Sequence, residues 1–321
     1  MVIYTNHLAK TFKTKVSHGL WARFVRPKYK EIHAVSDISL SIEKGESVAF
    51  LGPNGAGKTT TMKMLTGLVY PTSGEVKVLG FTPFERKSEF LKKIGLVMGN
   101  KSGLDWDLTP RQSFELYQKI YDIPDAKFKK KVELLTSLLS TEKFMDTQVR
   151  KLSLGERLKM EISGSLLHDP EVLFLDEPTI GLDVISKQKV RDFLRTIQKE
   201  TGVTLLLTSH DMDDIEKVCD RVIVVNHGKK VYDNSLAKLT SHYKKERYIK
   251  VVFKKMPKEV EVSHAKLIEK SEDVASYKVP HNNLSNFLAY VTKEFDVADI
   301  DILSVPLDEI ISDLFNKTEN S

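Results

Sequence analysis

Hydrophobic positions recur with two different periods along the chain. Ile38, Leu40 and Ile42 are separated by polar residues, the period of a strand with one face toward solvent. Val48–Leu51, Ile94–Met98, Val172–Leu175, Val203–Leu207 and Val222–Val225 are short, almost unbroken apolar runs, which predict strands buried on both faces. Segments of helical period lie between them. Thr59–Leu68 predicts a helix stopped near Pro71. Residues 110–145 predict two helices divided at Pro124, with Phe114, Tyr117, Ile120 and Tyr121 on one face of the first and Val132, Leu135, Leu138 and Leu139 on one face of the second. Buried strands alternating with helices over residues 38–232 predict an α/β fold with a mostly parallel sheet.

The pattern changes after Asn234. Residues 241–258 are rich in Lys and Arg and predict a linker running into an exposed strand. Val274–Val279 alternates, Leu284, Phe287, Leu288 and Val291 share a helix face, Ile300–Leu303 predicts a strand and Leu307–Phe315 a last helix. The chain thus divides into residues 1–233 and a small α+β domain at 234–321, which carries no chemical motif. A chain of 321 residues suits one large domain and one small one.

With 41% hydrophobic and 29% charged residues, the composition excludes collagen-like, mucin-like and wholly disordered readings. One cysteine, Cys219, excludes an intrachain disulfide framework or a cysteine-cluster metal site and predicts a buried, inert thiol in a reducing compartment. Met1–Leu8 has no secretory pattern, and each apolar run is about one strand long, far below the ~20 residues that span a bilayer, which predicts a soluble chain. The net charge is +5. The first thirty residues hold seven basic side chains and no acid, leaving 42 basic and 44 acidic residues elsewhere, a charge of −2. Basic character is therefore local, which argues for a nearby anionic surface and against nucleic acid.

Gly52-Pro53-Asn54-Gly55-Ala56-Gly57-Lys58-Thr59 fits the phosphate-loop pattern G-x-x-x-x-G-K-[ST], with a buried strand before it and a helix, including Thr60, after it. Glycines let backbone N–H groups turn inward around phosphates, and the helix N-terminus adds positive potential. Lys58 would reach the β- and γ-phosphates of ATP, and Thr59 would offer its hydroxyl to Mg²⁺. Val172–Leu175 ends in Asp176-Glu177. Buried strands seldom carry acids unless something charged lies at their end. Asp176 is placed to hold Mg²⁺ and Glu177 to act as general base on the attacking water.

In this order the motifs resemble those of the ATP-binding subunits of ABC transporters, over about residues 1–233. Leu152-Ser153-Leu154-Gly155-Glu156 is similar to the signature loop L-S-G-G-Q, Gly181-Leu182-Asp183 to the D-loop, and Thr208-Ser209-His210 to the switch histidine. The resemblance implies a P-loop NTPase core with helices on both faces of the sheet, an N-terminal antiparallel β region and a helical subdomain at about 101–160. It implies two subunits closing head to tail on two ATP molecules. Ser153, Gly155 and Glu156 would act at the partner's γ-phosphate, on the dipole of a Glu156–Leu167 helix. Asp183 would join the nucleotide interface, and His210 would hold the γ-phosphate and the water. Asn100 would stand where the family has a glutamine touching the metal. An aromatic stacks on adenine, with Phe12 the candidate and Tyr4 and Tyr29 competing. Leu154 and Glu156 depart from the usual signature.

The segment 13–32 is longer than a compact member needs. Leu20, Trp21, Phe24 and Val25 with Arg23, Arg26, Lys28 and Lys30 predict a basic amphipathic helix resting on the membrane or the permease, or a lobe packed on the sheet. Lys127–Lys131 predicts a solvated helix face. The loop 100–110, with Leu104 and Trp106 as an exposed apolar pair, is the expected docking surface for a separate membrane permease. The expected protein is an ATPase subunit powering an exporter from the cytoplasmic face of the membrane, as a homodimer or heterodimer. The alternatives are a soluble protein of the same class acting on ribosomes or DNA, and a non-hydrolysing ATP-dependent clamp.

Overall fold

The computed structural model describes residues 1–16, 28–99, 102–243, 246–257, 259–263, 265–303 and 307–319. The chain forms two compact units, Met1–Asp233 and Asn234–Ser321. The first contains β1 (Ile3–Val16), β2 (Lys28–Ile42), β3 (Ser47–Leu51), α1 (Lys58–Leu65), β4 (Ser73–Val78), α2 (Ser88–Leu91), β5 (Ile94–Met98), α3 (Pro110–Ile120) and α4 (Asp125–Leu139). It continues through α5 (Leu154–Leu166), β6 (Val172–Asp176), α6 (Val184–Thr201), β7 (Thr204–Thr208), α7 (Met212–Val218), β8 (Arg221–Asn226) and β9 (Lys229–Ser235).

These strands form one mixed sheet in the order β4-β1-β2-β9-β8-β3-β7-β6-β5. From β8 to β5 neighbouring strands run parallel. The strands β3, β6 and β7 are buried throughout, as their apolar runs require when helices cover both faces. The register places Asp176 between Met98 and Thr208. The carboxyl ends of β5, β6 and β7 thus lie level, and loops leaving that edge of a parallel sheet are where such folds bind ligands. At the other side β1 pairs antiparallel with β2 and β4.

Three local expectations change. Helix α1 ends at Leu65, before Leu68, because Gly67 turns left-handed (φ 74°) where an added Cβ would meet the Pro83 carbonyl oxygen at 2.2 Å. Strands β1 and β2 reach into the basic segment, with Lys13 opposite Glu31 and Thr14 opposite Lys30. Residues 17–27, including Leu20, Trp21, Arg23, Phe24, Val25 and Arg26, lie outside the described residues, as does Asn100. Within Lys127–Lys131, Lys127 and Lys131 both pair with Asp169, so this face is only partly solvated. Cys219 is buried and its thiol is pushed up to about 12 by burial.

The second unit holds α8 (Leu236–Tyr243), β10 (Glu246–Phe253), β11 (Lys266–Lys270), β12 (Val274–Pro280), α9 (Leu284–Glu294), β13 (Val297–Leu303) and α10 (Leu307–Glu319). Its antiparallel sheet runs β11-β12-β10-β13. Strand β10 was expected to be exposed but is interior to this sheet, paired on both edges. Ile249, Val251 and Phe253 alternate with Lys250 and Val252 and are buried with Ala275, Tyr277 and the α9 residues Phe287 and Val291. The strand β11 carries no clear alternation and was not anticipated. Among the described residues no helix is long and apolar enough to cross a membrane.

Candidate nucleotide site

The site begins where β3 gives way to the loop 52–57 and α1. Gly52 and Gly57 are dictated by space. A Cβ on Gly52 would lie 2.3 Å from the Val225 carbonyl oxygen, and one on Gly57, at φ 101°, 2.4 Å from that of Ala34. The loop closes on Lys58, whose Nζ donates to the carbonyls of Gly52 (2.6 Å) and Pro53 (3.2 Å). Burial pushes the Lys58 pKa down, while the nearby Glu177 and Asp176 carboxylates work against that shift. A buried ammonium with only carbonyl partners, at the start of a helix, is prepared for an anionic ligand.

Asp176 ends β6 and is buried. Its Oδ1 accepts from Thr208 Oγ1 (2.6 Å) and Thr59 Oγ1 (3.2 Å). One carboxylate oxygen therefore joins β6, β7 and the phosphate loop. Its partners are hard oxygen donors, the set that suits a divalent cation with phosphate and water completing the shell. Among the described residues no three His, Cys, Asp or Glu side chains gather as a metal site of their own.

Glu177 follows with φ 56°, a left-handed conformation costly for a residue with a side chain. Its N–H is held by the Thr208 carbonyl and hydroxyl, both at 3.1 Å. The carboxylate points across to His210, with Oε1 3.1 Å from Nε2 and Oε2 accepting from the His210 N–H at 3.2 Å. Burial raises the Glu177 pKa and the Asp176 charge adds to this, against the opposing pull of His210 and Lys58. A carboxylate of raised basicity paired with an imidazole is suited to taking a proton from water.

Lys58, Thr59, Asp176, Glu177 and His210 are thus gathered at one edge of the sheet. Ser153 and Glu156 instead bond each other, with Gly155 between them in the first turn of a helix. Helix α5 starts at Leu154, earlier than the expected Glu156, because Ser153 is its N-cap. Ser153 Oγ accepts from the Glu156 N–H (3.3 Å) and Glu156 Oε2 from the Ser153 N–H (2.9 Å). This capping box explains the acid at position 156, since Glu and Gln serve it alike. Asp183 caps α6 by accepting from the Ser186 N–H at 2.9 Å. Gly181 is left-handed, and a Cβ there would lie 2.5 Å from Leu154 Cδ2, so Leu154 packs over the turn before α6. Ile180, Val184 and Ile185 project into solvent beside it. Phe12 is partly exposed on β1 with Lys10 Nζ 5.0 Å from its ring centre, and Tyr29 is exposed on β2.

The expected exposed pair in the loop 100–110 is not a pair. Trp106 is exposed, with Arg157 over its ring, but Leu104 is buried because Tyr117 Oη and Ser102 Oγ hold the loop inward through the carbonyls of Gly103 and Leu104. Leu104 lines a cavity of about 490 Å³ with Leu91, Leu96, Tyr117, Glu161 and His168. Glu161 Oε1 and His168 Nδ1 are buried there with no hydrogen-bond partner among the described residues. Sequence reasoning passed over both, and also Thr179 and Asp214 behind the His210 loop. A lone acid between Met160 and Ile162 was the available signal for Glu161.

The sequence profile of the ABC transporter family matches residues 35–180. The chain is 35% identical to the ABC transporter ATP-binding protein NatA of Bacillus subtilis, over 70% of this chain and 90% of that protein. It is 30% identical to the bacitracin transport ATP-binding protein BcrA of Bacillus licheniformis, over 88% of this chain and 90% of the relative. A dimeric ATP-binding cassette solved in a post-hydrolysis state with ADP and Pi superposes with a TM-score of 0.62 at 24% identity, covering 73% of this chain and 98% of that one.

The capping box sets one expectation. Ser153→Ala removes the cap and lowers stability by about 1 kcal/mol, whereas Glu156→Gln keeps both bonds and changes it by less than about 0.5 kcal/mol. Hydrogen exchange of the α5 amides measures both. Equal protection in wild type and Ser153→Ala would contradict the capping role.

Proposed function

The chain belongs to the family of ATP-binding subunits of ABC transporters, and from that premise we propose that it hydrolyses ATP to drive a separate membrane permease. The observation that carries this reading is the Glu177–His210 pair beside Lys58 and the Thr59–Asp176 contact. Lys58 binds the β- and γ-phosphates, together with N–H groups of the loop from Gly52 to Thr60. Thr59 and Asp176 would hold Mg²⁺, which would offset the charge of the phosphate oxygens, and Asn100 is the residue we assign as a further ligand. Water attacks the γ-phosphorus in line, its proton passes to a Glu177 carboxylate oxygen, and ADP leaves. His210 orients the water and the γ-phosphate through Nε2. A pairing of base and imidazole suits hydrolysis better than a clamp that only closes. Phe12 stacks on adenine.

Ser153, Gly155 and Glu156 reach the γ-phosphate of a second ATPase subunit, either another copy or a homologue, and Asp183 lies at that interface. The exposed Ile180, Val184 and Ile185 beside the signature helix support this arrangement, since a partner surface would remove them from water. The assembly sits at the cytoplasmic face of the membrane. Export is the direction we propose, in keeping with the likeness to BcrA over both units, but that protein's bacitracin is not assigned to this chain.

Purified wild type is expected to hydrolyse ATP, and Glu177→Gln to lose about 10²- to 10⁴-fold in rate while eluting as an ATP-held dimer in gel filtration. Because burial raises the Glu177 pKa, the base is lost to protonation at a pH above the ordinary glutamate value, so the rate falls on acidification before a free glutamate would titrate. Wild type that binds ATP without turnover would defeat the reading.

The permease docks at the 490 Å³ cavity behind the loop 100–110. Burial raises the Glu161 pKa and lowers that of His168, whose Nε2 is engaged with the Ile94 carbonyl at 3.0 Å. The cavity therefore offers the unfilled His168 Nδ1 acceptor beside Glu161, whose Oε1 lies 3.7 Å from Arg157 Nε, in an apolar wall, which suits a permease segment carrying an apolar side chain beside a hydrogen-bond donor. Glu161→Leu should weaken permease binding about tenfold in co-purification, with ATP binding by the isolated chain intact. Undiminished co-purification would exclude this surface.

For the basic residues of 15–30 we propose a contact with anionic lipid or the permease, supported by the seven basic side chains and no acid among the first thirty residues. Replacing Lys15, Arg23, Arg26, Lys28 and Lys30 with Ser should abolish salt-sensitive binding to anionic liposomes, and unchanged binding would remove the lipid contact.

A further inference from the structure

Behind the Glu177–His210 pair lies a second, wholly buried carboxylate that the reaction scheme leaves unused. Asp214, in α7, is 1% exposed. Its Oδ2 accepts from two hydroxyls at once: Ser209 Oγ at 2.6 Å and Thr179 Oγ1. Its Oδ1 accepts from Arg191 Nε of α6 at 2.6 Å. The charged groups around it are on these same elements. Arg191 also pairs with Asp211 (2.9 Å) and Asp213 (3.3 Å), and Lys187 with Asp211 (2.7 Å). The ion pair with Arg191 supplies the charge that keeps a buried carboxylate tolerable.

The placement of the two hydroxyls is what gives Asp214 a role. Thr179 lies two residues after Glu177, and Ser209 one residue before His210. Thr179 also accepts the Leu182 N–H at its carbonyl (3.2 Å), and Ser209 Oγ accepts the Asp211 N–H (3.0 Å). Glu177 itself sits in a left-handed conformation that its surroundings must maintain. One oxygen of Asp214 therefore fixes, from behind, the backbone on both sides of the proton-accepting pair.

We propose that Asp214 is a positioning residue for ATP hydrolysis, holding the Glu177 and His210 loops in register through Thr179 and Ser209. The proposal rests on the hydrolysis reading above. Small displacements at such a pair are costly to the chemical step and leave nucleotide binding at Lys58 intact.

The test is steady-state ATP hydrolysis by the full chain, with folded fraction followed by circular dichroism. Thr179→Val and Ser209→Ala should each lower kcat by about 10- to 100-fold, with KM for ATP changed by less than about twofold. Thr179→Ser and Ser209→Thr keep the O–H and should recover most of the rate. The double variant Thr179→Val/Ser209→Ala should lose less than the product of the single losses, because both act through one carboxylate. Asp214→Asn should lower kcat in the same way, but it also leaves Arg191 without its closest carboxylate, so the hydroxyl variants decide. Unchanged kcat in either hydroxyl variant, equal loss in the conservative variants, or a loss that tracks the unfolded fraction overturns the proposal while wild type still turns over. A wild type that binds ATP without turnover overturns the hydrolysis reading and this proposal with it.

Discussion

A carboxylate placed at the end of a fully buried strand must find donors, or its desolvation destabilises the fold. Asp176 meets this constraint with two threonine hydroxyls, one at the end of β7 and one at the start of α1. That solution requires β6 and β7 to end level and the phosphate loop to return over the same edge of the sheet. The parallel register delivers both, with Asp176 beside Thr208. The nucleotide site is in this sense a by-product of satisfying one buried acid. The hard oxygens that satisfy it are also those a cation and a triphosphate would use.

Around this point the structure stores conformations that would not persist alone. Glu177 is left-handed and is held by Thr208 on one side and His210 on the other. The loop beyond it and the loop before His210 are tied to the same oxygen of Asp214. Gly52 and Gly57 let the backbone approach Val225 and Ala34 more closely than any side chain permits. Strain at a site needs such over-determination, and here it comes from residues distant in sequence.

The signature helix is built on a different principle. Its start is governed locally, by Ser153 and Glu156 bonding each other's N–H groups. Leu154, where the family has glycine, covers the turn at Gly181 and joins the helix to the segment leading into α6. The departures from the usual signature thus have structural consequences within this chain, independent of any contact with a second subunit.

The phosphate loop, the Asp176-Glu177 strand end and the buried strands were legible in the sequence, whereas the start of α5 was read at Glu156 and the Ser153 cap that moves it to Leu154 was not. Each legible feature depends on neighbours along the chain: a glycine where φ must be positive, an apolar run where both faces are covered. Other features were decided only by the folded chain. Leu104 reads as exposed in its loop but is drawn inward by hydroxyls of Ser102 and Tyr117 acting on the loop's carbonyls. The basic stretch around β10 reads as exposed, yet pairing on both edges turns Ile249, Val251 and Phe253 into a core. Thr179 and Asp214 stand 35 positions apart, and Leu91 and Glu161 line one cavity only through packing. Local conformation follows from adjacent side chains and is written in their order. Burial and hydrogen-bond partnership across tens of residues exist only once the sheet and its helices have closed on one another.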